Sequence, residues 1–121
     1  MSTIQAHIDQ RSLRDTLSNL GRISKVVEKK VKDEIVYTTL EIERDAVFKC
    51  PYITGRLAGS SEHQFKRNRL GGIVKFTANY ASIVENGVPG KRRPKPYLGP
   101  AYFENIGPLK ERIQTILKNP K

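Results

Sequence analysis

Two short segments of this chain contain residue types that could take part in catalysis or phosphate binding. Ser60, Ser61 and His63 are neighbours, and a serine next to a histidine is one element of a nucleophilic site. On an extended strand Ser61 and His63 share a face, but the sequence offers no third group to orient the imidazole ring. This spacing favours a polar strand face over a catalytic serine.

The second segment has part of the pattern of a phosphate-binding loop. Residues 87–91 have the sequence Gly-Val-Pro-Gly-Lys, in which glycines precede a lysine. The glycine spacing differs from that of a phosphate loop, and Arg92 stands where a serine or threonine would bind magnesium. The segment therefore does not predict a nucleotide site.

Potential metal ligands and further nucleophiles are few. The chain has one cysteine, Cys50, and two histidines, His7 and His63. A zinc site would have to be built mainly from carboxylates, which is unusual, and one cysteine cannot form a disulfide within the chain. We expect Cys50 to be a small apolar residue at a helix end. We predict no catalytic residue, no metal site, no cofactor and no enzymatic activity.

The basic residues are concentrated in the middle of the chain. The formal net charge is +10, and residues 51–97 contain nine basic and two acidic side chains. A one-sided basic surface indicates a polyanion as partner: nucleic acid, a membrane face or an acidic protein. The candidate contact residues are Lys66, Arg67 and Arg69 in one segment, and Lys91, Arg92, Arg93 and Lys95 in another. No aromatic residues alternate with them, so contact with nucleic acid would be electrostatic and independent of sequence. The alternative is ordinary solvated loop charge.

Length and hydropathy indicate a single small domain. The 121 residues predict one domain, residues 1–121, with a modest core. No apolar run approaches the length of a membrane span, and the N-terminus lacks the apolar stretch of a signal peptide. We expect a protein that contacts no membrane and stays where it is made unless an assembly carries it elsewhere.

Residues 23–49 give the strongest local signal. No Gly or Pro interrupts them, and they predict one amphipathic helix of about 25 residues, roughly 38 Å long, that ends at Cys50–Pro51. Its apolar stripe consists of Ile23, Val27, Val31, Ile35, Ile42 and Ala46, with Val26, Tyr37, Leu40 and Val47 beside it. A helix this long should extend past a small sheet, so we expect its end to contact a partner subunit. The alternative is a core helix alone.

The rest of the chain alternates between strand and helix patterns. Residues 3–8 predict a strand, and residues 9–21 predict a helix capped by Asp9 or Ser12. Residues 57–65 and 72–78 predict a β-hairpin joined by residues 66–71. Residues 79–86 predict a short helix or turn that Gly87 ends, followed by a loop over 88–96 and a last helix with Pro100 in its first turn. The predicted fold is α+β: a small antiparallel β-sheet packed by one long amphipathic helix and a C-terminal helix.

Three ordered motifs give the chain a family resemblance. Pro51, Thr54, Gly55, Arg56, Leu57 and Ser60 fit the pattern Pro-x-x-Thr-Gly-Arg-Leu-x-x-Ser. Tyr80, Ala81, Val84, Glu85 and Gly87 fit Tyr-Ala-x-x-Val-Glu-x-Gly. Arg93, Pro94, Pro96, Tyr97, Leu98, Pro100 and Ala101 fit Arg-Pro-x-Pro-Phe-Leu-x-Pro-Ala, with Tyr97 in place of Phe. In order and spacing these motifs resemble the head–tail joining proteins (neck, tail-completion or minor tail proteins) of long-tailed bacteriophages and prophages.

The resemblance implies a structural role in the virion. Proteins of this family carry no catalysis and assemble as a ring around the DNA conduit, six-fold in the favoured case. The implied partners are further copies of the chain, a head-closure or adaptor protein, and a tail-tube or tail-terminator protein. The implied location is the head–tail junction of the virion, after assembly in the host cytoplasm.

Physical roles for some motif residues follow from their types. Gly55 would permit a tight turn, and Arg56 could form an ion pair with Glu85. Tyr80 and Tyr97 would bury their rings while their hydroxyls stay paired. Two other functions stay open: a free-standing nucleic-acid-binding protein of no sequence preference, and a tail-terminator or head-closure subunit of the same assembly.

Overall fold

The chain folds into one small sheet and four helices within the residues that can be described. A computed structural model describes residues 4–8, 25–51, 55–91 and 93–118. The elements in chain order are β1 (Ile4–Ile8), α1 (Lys25–Lys49), α2 (Arg56–Gly59), β2 (Ser61–Phe65), β3 (Gly72–Phe76), α3 (Ala81–Asn86) and α4 (Leu98–Lys118). The helix predicted over residues 9–21 lies outside the described residues, as do Ile23, Thr54 and Arg92.

The three strands form an antiparallel sheet in the order β1-β3-β2. In its central strand β3, Val74 and Phe76 point to the core and are buried, while Lys75 on the opposite face pairs with Glu62 of β2 at 3.5 Å. Residue alternation along a strand produces these two faces. The predicted α+β fold, with its small antiparallel sheet, long helix and C-terminal helix, is confirmed.

Helix α1 buries one stripe against the sheet and α4. The predicted stripe residues that can be described are all buried: Val27, Val31, Ile35, Ile42 and Ala46. The helix ends at Lys49, before Cys50–Pro51, as the proline predicts. Val26, Tyr37 and Leu40, which we expected beside the stripe, are instead exposed.

Helix α4 packs antiparallel along α1. Near one end Arg112 donates to Glu34 Oε2 at 2.6 Å and to Thr38 Oγ1 at 2.8 Å. Near the other end Asn105 Nδ2 donates to Asp45 Oδ2 at 2.8 Å. The predicted contact between the end of α1 and a partner subunit stays a prediction; within the chain, α4 packs against α1 beside the sheet.

The segment after Gly55 is helical where the sequence predicted a strand. Gly55 has φ 80°, the left-handed conformation that its missing Cβ allows, and the turn α2 follows at once. Within that turn the Gly59 N–H donates to Gly55 O at 2.9 Å, and Leu57 enters the core. Strand β2 therefore begins at Ser61 rather than at Leu57, although the predicted hairpin link over residues 66–71 is correct.

Gly72 allows α1 to lie directly on the sheet, and this contact gives a stability prediction. A Cβ added at Gly72 would overlap the Thr39 side chain of α1. We expect Gly72→Ala to lower the free energy of unfolding by about 1–3 kcal/mol, because α1 or β3 must shift. Denaturant unfolding followed by circular dichroism measures the change.

Two further variants separate crowding from other effects of the substitution. Adding Thr39→Ala to Gly72→Ala should recover about 1 kcal/mol of the loss, since the two side chains are in contact. Gly107→Ala in α4 has no atom within 4 Å of the added Cβ and should be neutral or stabilising. A Gly72→Ala protein as stable as the original would contradict the packing described.

Candidate functional site

The carboxylate of Glu85, which lies in α3, accepts three hydrogen bonds from the backbone. Its Oε1 accepts hydrogen bonds from the backbone N–H groups of Tyr97 and Leu98, both at 2.9 Å, and its Oε2 accepts one from Gly99 at 3.0 Å. The first amides of a helix have no partner within the helix, and they attract negative charge. Glu85 therefore caps α4 from a different helix, and its side chain is buried there.

Tyr97 fixes the same junction from the other side. Its ring is fully buried, with an edge-to-face contact to Phe76 of the sheet at 4.8 Å between ring centroids. Its hydroxyl donates to Ala81 O of α3 at 3.0 Å. Burial, and then the nearby charge of Glu85, raises the pKa of Tyr97 above its ordinary value, so the hydroxyl stays protonated as a donor.

These contacts close the two ends of a loop, residues 88–96, which we name the basic loop. At its start Gly87 has φ 70° and donates from its N–H to Ile83 O at 2.8 Å. Near its end the Lys95 N–H donates to Val84 O at 2.8 Å. Both ends are therefore attached to α3, and the loop projects from one short helix.

The apex of the basic loop is a turn that displays positive charge. The Lys91 N–H donates to Val88 O at 3.0 Å, and Gly90 has φ 74°. The described basic side chains of the loop, Lys91, Arg93 and Lys95, are exposed, as are Pro94 and Pro96. Part of the loop lines an open depression of about 580 Å³.

The second basic group lies at the tip of the β2–β3 hairpin. Lys66, Arg67 and Arg69 are all exposed there. The turn is closed by the Lys66 N–H on Gly71 O at 3.0 Å, with Arg69 at φ 57°. The tip joins the sheet at Gly72, whereas Tyr97, which follows the basic loop, packs on Phe76 at the other end of β3. These ends are about 13 Å apart along the strand. The two basic groups are thus anchored at opposite ends of the sheet.

The motif residues form the junctions around the basic loop. Ala81, Val84, Tyr97 and Leu98 are buried, Tyr80 and Pro100 are half-buried, and Leu57 is in the core. The predicted turn at Gly55 and the buried, hydrogen-bonded Tyr97 are confirmed. The predicted ion pair between Arg56 and Glu85 stays a prediction, and both oxygens of the Glu85 carboxylate accept backbone amides.

His63 has an orienting partner that the sequence did not reveal. Its Nδ1 lies 2.8 Å from Glu43 Oε1 of α1, twenty positions earlier in the chain. The expectation that no third group orients the imidazole is therefore wrong. No hydrogen bond joins Ser61 to His63 among the described residues, so the arrangement ties β2 to α1 and does not activate the serine.

The described residues contain neither a metal-binding cluster nor a helix that could span a membrane. No group of three His, Cys, Asp or Glu side chains in this part of the chain is placed to hold a metal ion. None of the helices described has both the length and the apolar character needed to cross a membrane.

Comparison with known proteins gives no further assignment. No protein-family model, no curated protein and no solved structure matches this chain.

The cap on α4 predicts a large effect of removing one carboxylate. We expect Glu85→Ala to lower the free energy of unfolding by about 2–4 kcal/mol, because three buried amides lose a charged acceptor. Glu85→Gln should cost less, since it keeps one acceptor oxygen. The exposed Glu111→Ala in α4 serves as control and should change stability by less than about 0.5 kcal/mol. Equal stability of Glu85→Ala and this control would refute the capping role.

The Tyr97 hydroxyl predicts a loss of stability at alkaline pH. Its pKa is raised on folding, so its contribution is complete below the ordinary tyrosine pKa of about 10 and is lost as pH rises toward the folded value. Tyr97→Phe should cost about 1–2 kcal/mol at neutral pH. The difference between the two proteins should shrink above about pH 10. Urea unfolding across this range tests it, and a constant difference would contradict the assignment.

Proposed function

We propose that this chain is a structural protein of a tailed bacteriophage virion, a subunit of the ring that joins the DNA-filled head to the tail. The observation that carries the proposal is the junction of Glu85, Tyr97 and Ala81, which holds the basic loop at both ends. These residues belong to two of the motifs on which the family resemblance rests. In this chain they work as a fixed base for a charged loop.

A loop held in this way is suited to docking. Its ends are hydrogen-bonded to α3, and Pro89, Pro94 and Pro96 restrict the backbone between them. A segment ordered before binding loses less conformational entropy when a partner binds. The exposed charges of Lys91, Arg93 and Lys95 are complementary to an acidic ring surface or to the phosphates of DNA in the conduit.

The proposal includes the assembly in which the loop acts. Several copies, six in the favoured arrangement, form the ring at the neck, between a head-closure or adaptor protein and a tail-tube or tail-terminator protein. Assembly takes place in the host cytoplasm and ends at the virion head–tail junction. The role requires no catalysis and no cofactor. A tail-terminator or head-closure position in the same assembly would use the same surfaces.

The exposure of both basic groups favours a second candidate, a free-standing protein that binds nucleic acid without sequence preference. Six described basic side chains in the two loops face solvent: Lys66, Arg67, Arg69, Lys91, Arg93 and Lys95. A protein that used all of them on phosphates would lose affinity steeply with added salt. Duplex binding by the purified protein at several salt concentrations distinguishes this candidate from a subunit that acts only within an assembly.

Serine substitutions in the basic loop test the head–tail role. We expect a variant in which Lys91, Arg92, Arg93 and Lys95 are all replaced by Ser to block the joining of heads to tails. The docking charges are lost in this variant while the loop keeps its length. Complementation of a phage lacking the protein, scored by infectious particles and by electron microscopy of unjoined heads and tails, measures the effect. Circular dichroism should show an unchanged fold.

A matched variant separates the basic loop from general charge. This variant replaces Lys66, Arg67 and Arg69 by Ser and so removes three charges from the hairpin tip. It should leave more particles joined than the loop variant does. Infectious, fully joined particles from the loop variant would overturn the proposed role of the loop. Duplex DNA binding whose affinity falls steeply with added salt, and which both variants weaken, would support the nucleic-acid-binding candidate instead.

A further inference from the structure

Helix α1 carries a second apolar stripe on the side away from the core. Val26, Tyr37, Leu40 and Phe48 are 61%, 55%, 41% and 89% exposed. At 100° per residue these four positions fall within about 80° of one another around the helix axis. They extend over about 33 Å, most of the length of α1. Large apolar side chains aligned in this way on one exposed face indicate an interaction surface.

Three charged residues, Lys30, Asp33 and Arg44, fall within the same arc of the helix, and two of them, Asp33 and Arg44, occupy symmetric positions. Asp33 precedes Tyr37 by four residues, and Arg44 follows Leu40 by four. Both side chains are exposed, at 65% and 74%. An acid and a base placed at equal distances from the middle of a helix match each other when that helix pairs with an antiparallel copy of itself.

We propose that α1 pairs with α1 of a second copy of this chain, antiparallel, with a two-fold axis between Tyr37 and Leu40. In this register Tyr37 faces the partner's Leu40, and Asp33 faces the partner's Arg44. A two-fold interface repeats each of these contacts. Val26 then lies within one turn of the partner's Phe48 at each end, so all four exposed apolar residues of α1 find apolar neighbours.

The charges of the stripe select this arrangement over a parallel one. A parallel pair in register would place Asp33 against Asp33 and Arg44 against Arg44, and like charges in contact are unfavourable. Within one copy Asp33 pairs with Lys29 at 3.3 Å and Arg44 with Glu41 at 3.0 Å. The Lys29–Asp33 pair is exposed on both sides, and Arg44 is the exposed member of its pair with a half-buried Glu41; such surface pairs are weak, so an exchange of partners costs little. The Arg112 guanidinium of α4 lies 5.7 Å from the Tyr37 ring centroid, at the edge of the stripe.

The dimer does not depend on the proposed role in head–tail joining, since neither basic group belongs to the α1 stripe. The dimer bears on that role only where the ring is built from dimers, or where the protein is held as a dimer before the ring forms. Its test is therefore the association of the purified full chain alone, with no DNA and no virion protein present.

Charge reversal tests both the surface and the register. Sedimentation equilibrium over a concentration series should show a monomer–dimer equilibrium for the unchanged protein. Asp33→Arg and Arg44→Asp should each weaken the dimer about tenfold or more, because each replaces two attractions by two repulsions. Mixed in equal amounts, the two variants should form a heterodimer as stable as the original dimer, since both facing pairs are again opposite in charge. The double variant should also recover the homodimer.

Controls place the same charge changes away from α1. Glu62→Arg on β2 and Glu111→Arg on α4 are exposed and should leave the association unchanged. A protein that is monomeric at every concentration overturns the proposal. Association that Asp33→Arg and Arg44→Asp leave unaltered also overturns it, because the interface would then lie elsewhere. Failure of the mixed variants to form the heterodimer overturns it as well.

Discussion

The carboxylate of Glu85 is the interaction on which the rest of the fold depends. It joins α3 to the amide of Tyr97 and to the first two amides of α4, across twelve to fourteen positions of the chain. A buried carboxylate is unfavourable unless it is hydrogen-bonded, and here both oxygens are satisfied by donors that themselves need an acceptor. The carboxylate therefore supplies the acceptor that the backbone amides need, and the amides supply the donors that the buried carboxylate needs. Once α4 is fixed at this end, Tyr97 reaches Phe76 and α4 follows the sheet and α1.

From this junction the structure separates residues that hold the fold from residues that can meet a partner. The buried side of the junction consists of Glu85, Tyr97 and the apolar residues of α3. The exposed side consists of the basic loop, whose described charged residues, Lys91, Arg93 and Lys95, lie outside the core. Substitution in the loop can therefore change what the protein binds without changing the frame that presents it. Such a division is typical of binding loops placed on a rigid scaffold.

The sequence predicted the elements with local signals and missed those that depend on tertiary contacts. The end of α1, the hairpin link and the stop at Gly87 follow from residues within a few positions, namely Cys50–Pro51 and the glycines. Helix α2 was missed because Thr54 to Leu57 is a turn pattern that suits either a strand or a helical turn, and burial of Leu57 decides between them. The partners of Glu85 and of His63 lie twelve to twenty positions away, where no local spacing rule applies. Glu85 was singled out by its motif, but the motif does not say which donors it meets.

Helix α1 shows why the periodicity of apolar residues alone could not distinguish the buried face of the helix from its exposed face. Apolar residues occur on two sides of it, and a pattern of 3.6 residues fits both stripes. Burial selects Val27, Val31 and Ile35 for the core, and leaves Tyr37, Leu40 and Phe48 on the opposite side. A small domain has few large apolar residues to spare for solvent, since its core supplies most of its stability. The placement of several such residues along one exposed face, with an acid and a base in symmetric positions between them, is what the proposed pairing of two chains requires. The first stripe packs the core of the chain, and the second is the face on which we propose the contact between chains.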